Sequence, residues 1–329
     1  MAAEETIARV DALLGAGRPA EAARRLVEAA DAGEPAALAR LALWRIVGDV
    51  VRRDLAAARA LLAAAAAKGD LDAALLHAAF LASGTGGEAR WPAALAALRE
   101  VAPKAPRAAL QLRLLEAMKL DDDGFPAEPL HSRTLAGSPH AVVAEGFLSA
   151  TECAYLVAAA EPMLQPSVVV DPATGRMVPH PVRTSDAAMF GVFAEDLVVN
   201  AINRRIAALS GTAPAQGEPL QVLRYRPGGE YKPHMDALPA ELNQRILTVL
   251  VYLNDGYEGG ETRFVRTGLA YRGRTGDALL FSNASADGRP DPMALHAGLP
   301  VTSGAKYLAS RWIRAQTFTY PPPRPRVDL

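Results

Sequence analysis

Cysteine is nearly absent from these 329 residues; Cys153 stands alone. That excludes a disulfide within the chain and any zinc site built from several cysteines, and it fits a reducing compartment. A surplus of one charge is absent as well. Lys and Arg number 35 against 36 Asp and Glu, a formal net charge of -1. Such a balance gives no electrostatic reason to expect nucleic acid or an acidic membrane as partner. Long apolar runs are also missing. The most apolar stretch, Leu55 to Ala67, is alanine-rich and interrupted by Arg59, too short and too weakly apolar to span a bilayer. The opening residues "MAAEETIARVDALL" are acidic and amphipathic, unlike a secretory signal. A cytoplasmic protein with no membrane and no nucleic-acid partner is expected. Histidine is scarce too, with six in the chain.

What is present is a globular composition, half hydrophobic and 22% charged, in a chain long enough for two domains. The first 120 residues are rich in Ala, Leu and Arg and poor in β-branched residues, a helix-forming texture. Positions recur there at a step of 36: Leu26, Leu62 and Leu98; Gly33, Gly69 and Ala105; Ala37, Ala73 and Ala109; Gly48 and Gly84. Each unit fits two helices with a glycine stop between them and another after them. A period in the mid-thirties predicts a helical solenoid, whose units bury their apolar faces only against one another. The step and its "AAxxG" words resemble Sel1-like repeats, relatives of the tetratricopeptide class. Prolines 103 and 106 interrupt the third copy. Such repeats are expected to offer a surface to a protein partner, or to brace the second domain.

The segment "KLDDDGFPAEP", Lys119 to Pro129, breaks the pattern with charge, glycine and proline and reads as a linker. The expected layout is repeats over 1–120, a linker over 121–130 and a second domain over 131–329. Beyond the linker the texture turns to short β patterns. Ser149 and Glu152 have capping-box spacing before one helix, and another helix is expected near 194–209. Strands are expected at 220–226, 246–254, 262–265, 278–281 and 307–318, separated by "RPGG", "NDGYEGG" and "GRTGD". Many short strands with turn signals between them argue for a sandwich or barrel.

Within this half, "EYKPHMDALP" holds His234 and Asp236. Residues i and i+2 of an extended segment face the same side, so the pair would point into one cavity. One imidazole and one carboxylate leave a metal undersupplied. Of the other histidines, His77 lies in the repeats, His131 and His140 near the linker, and His180 in a proline-flanked loop that reads as surface. His296 follows the strand word "ALLF" and a loop, just before another strand, and is the best-placed third ligand. Two histidines and a carboxylate on one face match the donor set of non-haem Fe(II) oxygenases, with three positions left open. Lys306, ten residues beyond His296, would then serve a cosubstrate carboxylate as a point charge. Each of these residues alone would more often be an ordinary strand or surface residue; their order and β setting together favour a site.

The words "YRPGGEYKPHMD", "QRILTVLVYLND", "GGETRF", "GDALLFSN" and "LHAGLPVTSGAKYLASRWI" resemble the 2-oxoglutarate- and Fe(II)-dependent dioxygenases of the prolyl 4-hydroxylase type. Upstream, "VVVDPATGRMVPHPVRTSD" is similar to that family's substrate-side loop, and the resemblance covers about residues 140 to 318. It implies an α+β multidomain fold: a helical repeat solenoid followed by a double-stranded β-helix (jelly-roll) barrel with flanking helices. It implies Fe(II) held by His234, Asp236 and His296, with 2-oxoglutarate and O₂ as cosubstrates and ascorbate as reductant. Lys306, Tyr225 and Thr262 would bind the cosubstrate. Arg245, Tyr231 and Trp312, with Arg183 and Ser185 at a loop hinge, would face the substrate, a prolyl residue of a protein or peptide.

The chain departs from the family at Tyr307, where tryptophan is frequent, and at Leu299, where cysteine is common. It shows neither a disulfide set nor an endoplasmic-reticulum retention tail, and its repeats do not match the peptide-binding domain of animal collagen hydroxylases. A collagen substrate is therefore not expected. The same chemistry on another residue or a small molecule, and a repeat scaffold carrying a non-catalytic barrel, are the competing readings.

Overall fold

Alanine and leucine, punctuated by capping residues, build the first 117 residues into helices. The computed structural model describes residues 2–170, 177–179, 182–239, 241–285, 287–319 and 324–327. Part of the substrate-side loop word, His180 included, lies outside them. Seven helices come first among the described residues: α1 (Ala2–Gly15), α2 (Pro19–Asp31), α3 (Pro35–Val47), α4 (Leu55–Ala67), α5 (Leu71–Ser83), α6 (Trp91–Val101) and α7 (Pro106–Ala117). Their starts are set locally. Proline opens α2, α3 and α7, where a missing N–H costs nothing. Asp54 and Asp70 accept the backbone N–H of Ala57 and Ala73, each at 2.9 Å, capping α4 and α5. Gly48 and Gly84 end α3 and α5 at φ 81° and 77°, in the left-handed region that other residues enter only with strain.

The helices α2, α4 and α6 begin at 19, 55 and 91, a step of 36. Leu26, Leu62 and Leu98 are all buried in this register. Each helix packs on the next along the chain, the nearest-neighbour arrangement of a repeat array. The third copy runs one residue short. Its second helix starts at Pro106, 35 residues after Leu71, so the fully buried alanine is Ala108 and not Ala109. No described helix is long and apolar enough to cross a membrane.

Contacts divide the chain into two compact units. One comprises Met1–Phe125 with Glu195–Ala201 and Thr319–Leu329; the other comprises Pro126–Ala194 and Ile202–Phe318. The second unit is built on strands β1 (Arg133–Gly137), β2 (His140–Ala144), β3 (Gln165–Pro166), β4 (Val168–Val170), β5 (Met177–Pro179), β6 (Asp186–Phe190), β7 (Leu220–Tyr225), β8 (Tyr231–His234), β9 (Arg245–Tyr252), β10 (Tyr257–Gly259), β11 (Thr262–Phe264), β12 (Ala270–Tyr271), β13 (Ala278–Ser282), β14 (His296–Gly298), β15 (Val301–Gly304) and β16 (Lys306–Arg314). Helices α8 (Ala150–Ala160) and α9 (Leu197–Ser210) accompany them, with short 3-10 turns at Glu161–Met163, Pro214–Gln216 and Pro292–Ala294.

Two antiparallel sheets dominate. The larger has the order β1-β2-β13-β9-β16-β7-β6-β3 and the smaller β12-β11-β14-β8. From β7 onward the chain alternates between them: β7 in the large sheet, β8 in the small, β9 large, β11 and β12 small, β13 large, β14 small, β16 large. That alternation winds a double-stranded β-helix, a jelly roll. Side chains of period 2 fill the space between the sheets. Leu250, Tyr252, Leu279, Phe281 and Leu308 come from the large sheet and meet Phe264 of β11. The Phe264 and Phe281 rings meet edge to face with centroids 5.2 Å apart.

Outside the large sheet, α8 packs on β6 and β7. Its capping box is complete. The Ser149 hydroxyl accepts Glu152 N–H at 3.2 Å, and Glu152 accepts Ser149 N–H at 2.6 Å. Glu152 is buried and also receives two hydrogen bonds from Arg205 of α9, at 2.7 and 3.0 Å. Arg311 of β16 donates to Asn203 O at 3.1 Å, which ties α9 to the strand that lines the site.

Candidate active site

The two histidines arrive by strand pairing. His234 ends β8, His296 begins β14, and the two are directly opposite in the antiparallel ladder. Asp236 lies just beyond β8, so its side chain shares the face of His234. One ligand atom from each of the three residues falls within 4.8 Å of the others. His234 Nε2 is 3.7 Å from Asp236 Oδ1, and His296 Nε2 is 3.6 Å from Oδ2. Each imidazole gives its Nδ1–H to a backbone carbonyl, His234 to Lys232 O at 2.8 Å and His296 to Ala294 O at 2.9 Å. A carbonyl only accepts, so each ring turns the Nε2 lone pair toward the carboxylate.

Burial, and then the neighbouring His296, push the His234 imidazolium down to about 4, so the ring is neutral at pH 7. Burial works to raise Asp236, but the two imidazoles and the Thr248 hydroxyl outweigh it and hold the carboxyl below its ordinary value. Two imidazole Nε2 atoms and a carboxylate form the donor set of a divalent non-haem iron.

The donors open on a small cavity. Its other walls follow from the period-2 rule. Alternate residues of β16, namely Lys306, Leu308, Ser310 and Trp312, line it together with Leu223 and Tyr225 of β7 and Leu250 of β9. Lys306 and Tyr225 are cross-strand partners. Lys306 is 2% exposed and donates to Gly260 O at 2.6 Å. Among the described residues no carboxylate reaches ion-pair distance of it. Burial depresses its ammonium to about 7, against a weaker opposing pull from Glu261. The rings of Tyr225 and Tyr252 lie 5.6 and 5.3 Å from Nζ. A buried cation without an anion, facing three metal donors across one cavity, fits a carboxylate cosubstrate.

Tyr225 is buried, which raises its phenol, and its hydroxyl is hydrogen-bonded to Ser185. Ser185 also pairs with Ser167 Oγ at 3.1 Å. Ser185 is thus placed behind Tyr225 and is not a wall of the cavity. Thr262 lines the cavity, and its hydroxyl pairs with that of Tyr252 at 2.9 Å. Tyr231 stacks on the His234 ring, and the Arg183 guanidinium lies 5.5 Å from the Tyr231 centroid; both residues line the cavity.

Arg245 does not line it. Its guanidinium is bonded to Glu218 at 2.6 and 2.9 Å and lies 3.7 Å over the Trp312 ring. It meets the site through the Trp312 ring, and its charge also acts on Asp236 and Tyr231. The Trp312 Nε1 is buried and has no acceptor among the described residues, which leaves one donor for a ligand.

Three features escaped sequence reasoning. Glu218 joins Arg245 to Arg314, accepting from Arg314 Nε at 2.7 Å. Thr248 donates to Asp236 Oδ2 at 2.6 Å, and Asn283 Nδ2 donates to Thr248 Oγ1 at 2.7 Å. The one available signal for these was a polar residue inside an apolar strand word, as in "ILTVLVYL".

Residues 220–314 match the 2OG-Fe(II) oxygenase superfamily. Prolyl 4-hydroxylase 1 of Arabidopsis thaliana is 41% identical over 197 residues, 54% of this chain and 69% of that protein. Probable prolyl 4-hydroxylase 3 of the same plant is 37% identical over 206 residues, 55% and 71% of the two chains. Among solved structures, the viral collagen prolyl hydroxylase of Paramecium Bursaria Chlorella virus-1 in complex with 2OG is similar at 30% identity, TM-score 0.43, over 54% of this chain and 96% of that one. Jelly roll, donor set and sequence together define a 2-oxoglutarate-dependent dioxygenase that uses Fe(II), 2-oxoglutarate and O₂. Within that class, the chain belongs to the prolyl 4-hydroxylase family.

Proposed function

We propose that this chain hydroxylates a prolyl residue of a protein or peptide, with one oxygen atom of O₂ entering the product hydroxyl. The other enters succinate, formed from 2-oxoglutarate as CO₂ leaves. One observation carries the reading: three metal donors and a buried lysine without a carboxylate open on the same cavity. The prolyl substrate is supported by the relatives that match over this half of the chain.

His234, Asp236 and His296 would hold Fe(II), which when bound supplies the oxidising chemistry that no side chain here can perform. The protein's own work is placement. Lys306 takes the far carboxylate of 2-oxoglutarate, and its charge is worth more in this buried setting than in water. Tyr225 and Thr262 add hydroxyls on the walls beside it. Leu223, Leu250 and Leu308 keep that end of the cavity dry. Tyr231, Trp312 and Arg183 present two aromatic rings and a guanidinium to the substrate chain. Arg245 holds the Trp312 ring from behind, and Ser185 holds Tyr225.

Ascorbate keeps the iron reduced between turnovers in this proposal, and the enzyme works in the cytoplasm. The helical repeats, Sel1-like in their period, offer a surface to a protein partner.

The test is succinate release from enzyme supplied with Fe(II) and 2-oxoglutarate, run against proline-containing peptides and against free amino acids. A gain of one oxygen mass on a peptide proline is the expected product. Oxygen gained by a free amino acid and by no peptide would overturn the substrate reading. Asp236→Ala is expected to lower turnover by about 100-fold or more, because a metal ligand is lost; unchanged turnover would remove the ligand assignment.

A further inference from the structure

Thr248, in mid-β9, is fully buried, and Asn283, just past β13, is 1% exposed. Neither lines the cavity itself. Both backbones are fixed: Thr248 pairs with Phe281 and Trp312 in the large sheet, and Asn283 N–H donates to Ile246 O at 2.8 Å. Between them runs a short chain of hydrogen bonds that ends on Asp236.

Its direction follows from the donor inventory. An amide nitrogen only donates, so at 2.7 Å Thr248 Oγ1 accepts from Asn283 Nδ2. The single proton of Thr248 is then left for Asp236 Oδ2, 2.6 Å away. The other amide atom, Asn283 Oδ1, is buried with no hydrogen-bond partner. Turning the amide over would bring that acceptor against Thr248 and draw the hydroxyl proton away from the carboxylate. The fold instead leaves an acceptor unpaired and keeps the chain of bonds running one way, which buried polar groups seldom do without a function.

We propose that Asn283 and Thr248 are positioning residues for the metal centre. Together they fix the rotation of the Asp236 carboxylate, so that it meets His234 and His296 in one orientation before any metal arrives. This rests on the reading of His234, Asp236 and His296 as metal ligands. Residues that orient metal ligands govern affinity as well as activity.

The test is Mn(II) binding to the metal-free full chain by calorimetry at pH 7, which reads the site without turnover. Thr248→Val keeps the side-chain shape and removes the proton; its Kd is expected to rise about 10-fold or more. Thr248→Ser restores the hydroxyl and is expected to stay within about 3-fold of the parent. Asn283→Asp replaces the donor by an acceptor and is expected to weaken binding as Thr248→Val does. Asp236→Ala separates the two levels. If it binds Mn(II) like the parent, the ligand reading fails. If it loses Mn(II) while Thr248→Val binds within about 2-fold of the parent, the relay alone fails. Should Thr248→Val not fold, Asn283→Asp and Thr248→Ser decide: equal affinities overturn the proposal.

Discussion

Replacing Lys306 by methionine is expected to make the folded chain more stable and to end its use of 2-oxoglutarate. The ammonium is 2% exposed and receives one backbone carbonyl in return for its hydration. Burial brings it to about 7 from an ordinary 10.5. The sign follows from proton counting. Between these two values the unfolded chain holds a proton that the folded chain has released, so stability rises with pH across that window. With a folded value near 7, the lysine costs the fold about 4 kcal/mol at pH 7 and about 2 kcal/mol at pH 9, close to 1.4 kcal/mol per pH unit. Methionine carries no charge and has similar reach. The gain from Lys306→Met is therefore expected to be largest at and below pH 7 and to shrink by about 2 kcal/mol toward pH 9. Urea unfolding of the metal-free parent and variant across pH 6.5 to 9, a range within about two units of the depressed value, measures the gap. A gap constant within about 0.5 kcal/mol over that range would refute the argument, as would a variant less stable than the parent at pH 7. The charged groups and rings facing Nζ are Glu261, Tyr225 and Tyr252; both tyrosines are pushed upward by burial and stay neutral throughout.

Tyr307, the next residue, faces the other side of the sheet and bonds Glu161. Tyr307→Phe is expected to leave kcat/KM unchanged within about 2-fold and to cost at most about 1 kcal/mol in denaturant unfolding. Arg205→Leu strands the buried Glu152 carboxylate, and a loss of about 3–5 kcal/mol in urea unfolding is expected. Adding Glu152→Gln should recover part of that loss, because the amide oxygen still accepts from Ser149 N–H; no recovery would mean that the charge was not the cost.

The cluster of candidate metal donors was legible because its signals are local. His234 and Asp236 are spaced as same-face residues of an extended segment, and few histidines competed with His296 for the third place. The longer strands were legible for a similar reason: β7, β9, β13 and β16 carry enough apolar residues to show a period. Strands as short as β3, β12 and β14 carry none. Arg245 shows where alternation stops being a guide. It opens β9 opposite Arg314, where the register with β16 shifts, and Glu218 and Trp312 decide its direction. Asn283 and Thr248 meet only because β13 and β9 pair at one register, and nothing within a few residues of either marks the contact. The helical repeat was legible from its step, but the one-residue shortening at Pro106 was not, since Ala108 and Ala109 are the same letter.

The pairing of His234 with His296 ties the chemistry to the order of assembly. The two are 62 positions apart in the chain (296 less 234), and they face each other only when β8 and β14 have zipped at a single register. A slip of one residue would turn either ring to the far side of the small sheet. During folding, then, the chelate does not exist as a local element that a metal could nucleate. It appears with a long-range contact, whose closure is slow compared with the helices of the repeat unit. Until β8 and β14 pair, nothing local holds His234 and His296 together, so the three-residue cluster comes into being only as the barrel closes.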